Sequence, residues 1–481
     1  MTGQPEPMDR AERGWVLALL GLALALRMGF VLFQQPGFYF ADSLEYDGAA
    51  RNFLETGQFD RHYFRFPLYP VVMAASYRVF GTGLTPFRVF QAFLGTLTCL
   101  CVWLLGRRLF GPRTALLALS GAAVFPMHVV LAGIEYPVVP GTLLIWAVFV
   151  LVSGVMSGPS GGLVKLALGG AGVGLAALFF EGGLALGLFL ILWLLLSGKP
   201  RVFRLRSLSV TGMAALVVLA PWIYGMMRTG NYRALVLRAG IHLPTAPGVH
   251  PPLGENNGED LLMAKLSGFV RNPWWMLRYS GAEFVHFWNP CPDRLQAADP
   301  EFRKQLHRED RRMVLENGLV GDLSRFLYGG AFSALLAAAA AGALVALRTT
   351  PGSRFLVAWP VVLGACYAPF FTQMRYRIPA EPAFILLGAY AVDLALKRSL
   401  WSGARESLKA LWEGWKRIAE KILVVQTFII LFILFALVMG PIALLMKLFR
   451  KDPMHAPTVP GSFWALRERT RERMEECRKQ F

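Results

Sequence analysis

An all-α polytopic membrane protein is what this sequence predicts, from its apolar bulk, the length of its apolar blocks and the alternation of its basic residues. Of 481 residues, 55% are hydrophobic and 17% charged. Mean hydropathy is +0.45, more apolar than an ordinary soluble chain. Crossing about 30 Å of hydrocarbon takes about 20 helical residues. Blocks near that length recur at 15–33, 86–105, 115–131, 138–156, 163–180, 184–196, 208–227, 326–347, 355–371, 379–396 and 422–446. They give a helical core of roughly ten or eleven spans, several of them short or rich in glycine. The apolar piece 68–80 is too short to span and reads as a re-entrant or interfacial helix.

Basic residues orient the spans. Arg10 and Arg13 precede the first block, Arg107, Arg108 and Arg113 follow the second, and Lys199, Arg201, Arg204 and Arg206 precede the seventh. Arg348 and Arg354 link the eighth and ninth, and Lys397 and Arg398 follow the tenth. These clusters fall in every second connection, which makes that side cytoplasmic. The stretch after the first block, Glu135, Glu181, Arg375, Arg377 and the long 228–325 segment then share the outer side. The net charge of +18 is mostly this anchoring charge plus a basic tail. Nucleic-acid binding would want it gathered on one soluble surface, so no nucleic-acid partner is expected. The length of the first block, and the lack of an A-x-A-like site before Asp42, favour a retained span over a cleaved signal peptide. Of five cysteines, three lie in spans and no C-x-x-C pair exists, which argues against a cysteine-based zinc or redox site.

Three parts follow. Residues 1–400 hold the membrane core, interrupted by the polar outer segment 228–325. Within that segment 242–260 reads as loop, the aromatic run 272–290 as a helix at the membrane interface, and the charged run 301–316 as a solvated helix. Residues 401–481 combine a basic amphipathic stretch, one more span and a charged end.

Candidate chemistry gathers at the outer junctions. "FADSLEYDGAARNFLETGQFDRHYFRFPLYP" sets Asp42, Glu45, Asp47 and Glu55 directly after the first span. Asp42 and Glu45 satisfy a capping-box spacing, and apolar residues then recur at helical intervals up to Gly57. Asp42 is thus either the cap of a surface helix or a functional acid. Glu135 and Glu181 stand at two further outer junctions inside apolar sequence, where ionisable groups face a cavity or a partner when they are not solvated turn residues. "FFTQMRYRIPAEP" places Arg375 and Arg377 just before Pro379, which suits a helix start able to bind phosphate; the competing reading is a pair of snorkelling anchors.

The run "ADSLEY…ARNFLETGQF…RFPLYP", followed in order by "GRRLFGPRTALLAL", Glu135, "APWIYGMMRTGNY" and "RYRIPAEPAFILLGAYA", resembles the GT-C glycosyltransferases of the protein-mannosyltransferase and aminoarabinose-transferase type. The likeness covers residues 14–397. It implies a GT-C helical core with outer-side surface helices and a mostly helical or irregular periplasmic segment, in a bacterial inner membrane. It also implies transfer of a hexosyl or pentosyl group, with inversion, from a polyprenyl-phosphate donor to a hydroxyl of a lipid, glycan or protein acceptor on the outer side. Asp42 matches the catalytic aspartate and Glu135 the second outer acid, a candidate ligand for a divalent metal ion. Glu45, Tyr46, Arg65, Glu181, Arg375 and Arg377 then become substrate-binding candidates. The chain departs from the family pattern at Ser43, where many members carry a second acid. It departs again at Glu45, where aminoarabinose transferases carry arginine, and at Gly225–Met226, with Arg228 close by. Two other readings would also use a charged outer cavity: a transporter of lipid-linked saccharide, and a non-catalytic accessory subunit. No repeated halves or broken spans that would favour transport are visible in the sequence.

Overall fold

A computed structural model describes residues 7–34, 38, 41–60, 63, 65–157, 162–229, 243–246, 258–290, 319–370, 372, 374–397 and 400–434. The loop stretch around 247–257, the charged run 301–316 and everything after residue 434, including the end of the 422–446 block, lie outside them. The chain divides into two units, Met1–Leu408 and Lys409–Phe481. In the second, the described residues continue a basic amphipathic helix to Leu434.

The first unit is helical throughout its described elements. They run α1 (Arg10–Phe33), α2 (Ala41–Thr56), α3 (Leu68–Phe80), α4 (Leu84–Phe110), α5 (Pro112–Val124), α6 (Pro126–Val130), α7 (Val138–Ser157), α8 (Leu163–Phe179), α9 (Glu181–Leu196) and α10 (Arg201–Thr229). Two helices of the outer segment, Gly258–Arg271 and Pro273–Phe287, come next, and then Leu319–Thr349, Arg354–Tyr367 and Glu381–Leu396. The short apolar piece forms the α3 helix over the limits expected of it. Among the described residues, six helices are long and apolar enough to cross a membrane, or seven counting one bent pair. Leu163–Phe179 and Glu181–Leu196 are shorter apolar helices, because Phe180 between them is extended and ends the first.

Packing radiates from α4, which lies against α1, α5 and α7, while α7 leads on to α8 and α8 to α10. On the other flank α5 packs against Glu381–Leu396, and that helix against Leu319–Thr349. Close approach of backbones substitutes for hydrophobic driving force between helices in lipid. A Cβ at Gly342 would meet the Leu387 carbonyl oxygen at 1.9 Å, and one at Gly170 the Thr211 carbonyl oxygen at 2.2 Å. Only glycine permits those two crossings.

The basic connections meet acids at one end of the bundle, as the alternation predicts. Arg107 pairs with Glu12 at 2.7 Å, and Asp393 takes Arg113 at 3.3 Å and Lys397 at 2.7 Å. The 272–290 run forms the Pro273–Phe287 helix, with Trp274 82% exposed on one side and Phe287 buried on the other.

One feature is absent from the sequence reading. The 115–131 block is not a straight span: α5 and the segment Pro126–Gly133 meet at 58°. Pro126 has no N–H, and it stands four residues after Ala122, so the Ala122 carbonyl has no intrahelical donor. Phe125 before it is extended, as a residue preceding proline prefers. Arg27, fully buried on α1, repairs the break. Its guanidinium donates to the carbonyls of Ala122 at 3.1 Å and Ala123 at 3.2 Å, and to that of Ala23 at 2.9 Å. Gly95 makes room for it, since a Cβ there would sit 2.9 Å from Arg27 Nε. Arg27→Leu should therefore lower the melting temperature of the detergent-solubilised protein, each orphaned carbonyl costing roughly 1–3 kcal/mol. Arg27→Lys should recover only part, because an ammonium cannot fork between several carbonyls. An unchanged melting temperature in Arg27→Leu would contradict this role.

Candidate active site

The outer junctions, far apart in sequence, meet around Asp42. Asp42 lies in the first turn of α2 and 17% of its side-chain surface is exposed. Its two carboxylate oxygens go to side chains of other segments. Arg65 Nη2 donates to Oδ1 at 2.8 Å, Arg375 Nη1 to Oδ2 at 2.7 Å, and the Tyr136 hydroxyl to Oδ2 at 3.3 Å. Glu45, one turn further along α2, accepts from Arg65 Nε at 2.6 Å. Arg65 thus bridges both acids, and lies over the ring of buried Tyr46 at 5.2 Å. Arg375 lies over Tyr136 at 4.8 Å and Tyr376 at 5.4 Å, and Glu181, half-buried at the start of α9, acts electrostatically on Tyr376.

Local sequence fixes each partner. Asp47 anchors α2 to α3 through the Tyr77 hydroxyl at 2.6 Å and also pairs with Arg51. Ser43 is fully buried and donates to the Glu135 carbonyl oxygen at 2.8 Å. That bond ties α2 to the 134–137 turn. Gln91 on α4 holds the same turn through the Ile134 carbonyl at 2.8 Å, and Tyr69 holds Gln91 at 2.9 Å. The guanidinium beside Glu45 and Asp42 comes from Arg65 in the connection after α2.

Burial pushes the Asp42 carboxyl up, but the charges of Arg375 and Arg65 and their hydrogen bonds outweigh it and hold its pKa below the ordinary value. The Arg65 guanidinium, opposed by its own burial but bonded to Glu45, is held more firmly protonated than usual.

Two candidates have side-chain partners other than Asp42. Glu135 is fully buried and pairs with Arg88 of α4. Among the described residues no group of three His, Cys, Asp or Glu side chains converges as a metal site. Asp42 held by two guanidiniums and Glu135 held by a third are a poor donor set for a divalent ion, so no step is derived through one. Arg377 is separated from Arg375 by helical geometry, since residues two apart on a helix point about 200° apart. It is fully buried and donates to the carbonyls of Phe287 at 3.1 Å and Asn289 at 2.7 Å. It also donates to the Tyr328 hydroxyl at 3.2 Å and lies 3.6 Å from Glu381. There it ties the Pro273–Phe287 helix to the core. The turn Met374–Arg377 is oriented by Pro379, whose carbonyl accepts from the indoles of Trp146 and Trp359, both at 3.0 Å.

Sequence reading missed Arg88, Tyr136, Ser43 and Gln91. Arg88 carried a usable signal, an ionisable residue inside an apolar run. The others had none without the fold.

Two outcomes follow from this geometry. Arg88→Met or Glu135→Gln alone should destabilise the protein by about 3–5 kcal/mol, because each leaves an uncompensated buried charge. The double variant should be far less damaged, and equal damage in single and double variants would contradict the pairing. For Asp42 the folded pKa is depressed, so its stabilisation is present above the ordinary carboxylate value of about 3.9 and lost as pH falls through the lowered value. The stability gap between wild type and Asp42→Asn should be open at pH 7 and close on strong acidification, measured by thermal melting across pH. A gap that widens on acidification would contradict the assigned shift.

Residues 65–224 match the family model described as Dolichyl-phosphate-mannose-protein mannosyltransferase. No curated protein matches the chain. Among solved structures, ArnT from Cupriavidus metallidurans in the apo state aligns at 18% identity and a TM-score of 0.49, over 80% of this chain and 60% of that one. The same protein bound to undecaprenyl phosphate aligns at 19% identity and a TM-score of 0.48, over 81% and 62%. The Archaeoglobus fulgidus oligosaccharyltransferase, in complex with Zn and sulfate, aligns at 15% identity and a TM-score of 0.45, over 82% and 51%. The chain thus spans about three fifths of the length of the first two and half that of the third. Similarity to the mannosyltransferase family thus extends over residues 65–224, within a helical unit that carries candidate membrane spans.

Proposed function

We propose that the protein is a membrane glycosyltransferase that moves a sugar from a polyprenyl-phosphate donor to an acceptor hydroxyl at the outer face of a bacterial inner membrane. The observation that carries this reading is the Asp42 carboxylate held between Arg65 and Arg375, on a surface helix that follows the first span. A sugar linked to phosphate already has a good leaving group, so two tasks remain: removing the acceptor proton and receiving the phosphate charge.

Asp42 takes the proton. The acceptor oxygen bonds to the anomeric carbon and the carbon–oxygen bond to phosphate breaks on the opposite face, which inverts the centre. The electron pair leaves with the phosphate, and the hydroxyl proton passes to Asp42. Arg375 meets the phosphate charge, since a guanidinium pairs with phosphate as readily as with a carboxylate. Donor and Asp42 therefore compete for Arg375. When the phosphate takes that guanidinium, Asp42 loses a partner, its pKa rises toward the ordinary value and it becomes a better base.

Transport of lipid-linked saccharide gains one observation, the bend between α5 and Pro126–Gly133. Its freed carbonyls are taken by Arg27 and do not line a passage, so the bend reads as structural.

Asp42→Asn keeps the shape of the group and cannot accept a proton. Turnover of labelled polyprenyl-phosphate sugar should fall roughly 10²–10⁴-fold while the variant still folds and binds donor. Wild-type turnover would return Asp42 to a structural role. Arg375→Ala should weaken donor binding and Arg375→Lys should restore it only partly; unchanged donor affinity in Arg375→Ala would remove Arg375 from the phosphate site.

A further inference from the structure

Beside the Asp42 cluster is a cavity of about 740 Å³, within the range of sites that hold compact organic ligands. It lies between the loop after α2 and the outer end of α10, and Arg65 belongs to its wall as well as to the Asp42 cluster. Two features give it chemistry. Its walls are aromatic: Phe59 stacks on Tyr63 at 4.9 Å, while Trp222 is braced by Phe66 at 6.1 Å. Its charge is of one sign: Arg228 and Arg65 line it, and no acidic side chain does among the described residues. Arg228, in the last turn of α10, is exposed and has no ion-pair partner among the described residues.

We propose that this cavity is the acceptor site and that it selects a saccharide bearing an anionic group. The inference rests on the glycosyltransferase reading and adds the acceptor class to it. Sugar rings present apolar C–H faces that pack on flat aromatic side chains, and aromatic rings with a polar edge suit half-wet sites of this kind. A carboxylate or phosphate on the ring meets Arg228, which has no ion-pair partner among the described residues, in a charge-assisted, bidentate bond. Because Arg65 is common to the cavity and to Asp42, a sugar seated there has its hydroxyls on the side of the proposed base. A purely apolar occupant, such as a polyprenyl chain, would leave Arg228 without use.

The test is equilibrium dialysis of the full-length protein in detergent with radiolabelled methyl cellobioside and with the same disaccharide carrying a C6 carboxylate. The acidic disaccharide should bind at least about 10-fold more tightly, as expected for a hydrogen-bonded charge. Arg228→Ala should bring it down to the level of the neutral sugar, and Arg228→Lys should restore part of the difference. Tyr224→Ala, at a position 66% exposed on the cavity wall, should weaken both sugars. Running the acid as its methyl and its dodecyl glycoside separates a soluble from a membrane-anchored acceptor, and preference for the acid in either supports the site. Equal affinity for neutral and acidic sugar in the wild type, or an unchanged preference in Arg228→Ala, would overturn the proposal. Polyprenyl-phosphate binding is measured on the same wild-type preparation. Donor bound without preference for the acid sinks the acceptor site and leaves the transferase reading standing. Preference for the acid without donor binding overturns the transferase reading, and the acceptor role with it.

Discussion

A carboxylate largely withdrawn from water at a membrane surface needs cationic partners, and the structure is organised around supplying two to Asp42. Neither is local. Arg65 comes from the connection between α2 and α3, and Arg375 from a single turn more than three hundred residues later. Each must be delivered by a scaffold that does not move. Pro379 and its two indole donors fix the turn that carries Arg375. Asp47, Tyr77 and the Ser43 bond to the 134–137 turn fix the helix that carries Asp42. The Arg88–Glu135 pair and Gln91 hold that turn from beneath. The four acids of the opening stretch therefore have separate surroundings: Asp42 is held between Arg65 and Arg375, Glu45 pairs with Arg65, Asp47 pins the helix through Tyr77, and Glu55 is exposed.

The same geometry leaves Asp42 poorly basic while its partners are in place. In the proposed mechanism, the two guanidiniums that hold the Asp42 pKa below its ordinary value keep the base weak until donor arrives. A donor phosphate that recruits Arg375 removes one of those restraints when a sugar is present to be transferred. On this account, charge exchange couples donor arrival to activation of the base with no large motion of the helices.

Much of this was legible in the sequence. Spanning blocks and the α3 limits followed from the length and periodicity of apolar runs, and the bundle's basic end followed from the alternation of arginine and lysine. Asp42 and Arg375 were legible as opposite charges at one predicted membrane level, and Arg65 as a candidate only through the family resemblance. Three things were not. The bend at Pro126 was hidden inside a block apolar enough to look like one span, and Arg27, which repairs it, lies in another helix. The pairing of Glu135 was hidden because Arg88, although an ionisable residue inside an apolar run, carries no mark of the segment it meets. The two late arginines looked equivalent in a linear motif, whereas helical spacing sends Arg375 to the surface cluster and Arg377 into the core. In each case the missing information was which distant segment a buried polar group would meet.

The most direct test of this account is an experimental structure of the protein with a non-transferable polyprenyl-phosphate sugar bound. The account predicts that Arg375 turns from Asp42 to the donor phosphate, while Asp42 keeps Arg65 and faces the anomeric carbon from the side opposite the phosphate. A phosphate bound at another cluster, with the 2.7 Å pair between Arg375 and Asp42 intact, would contradict it.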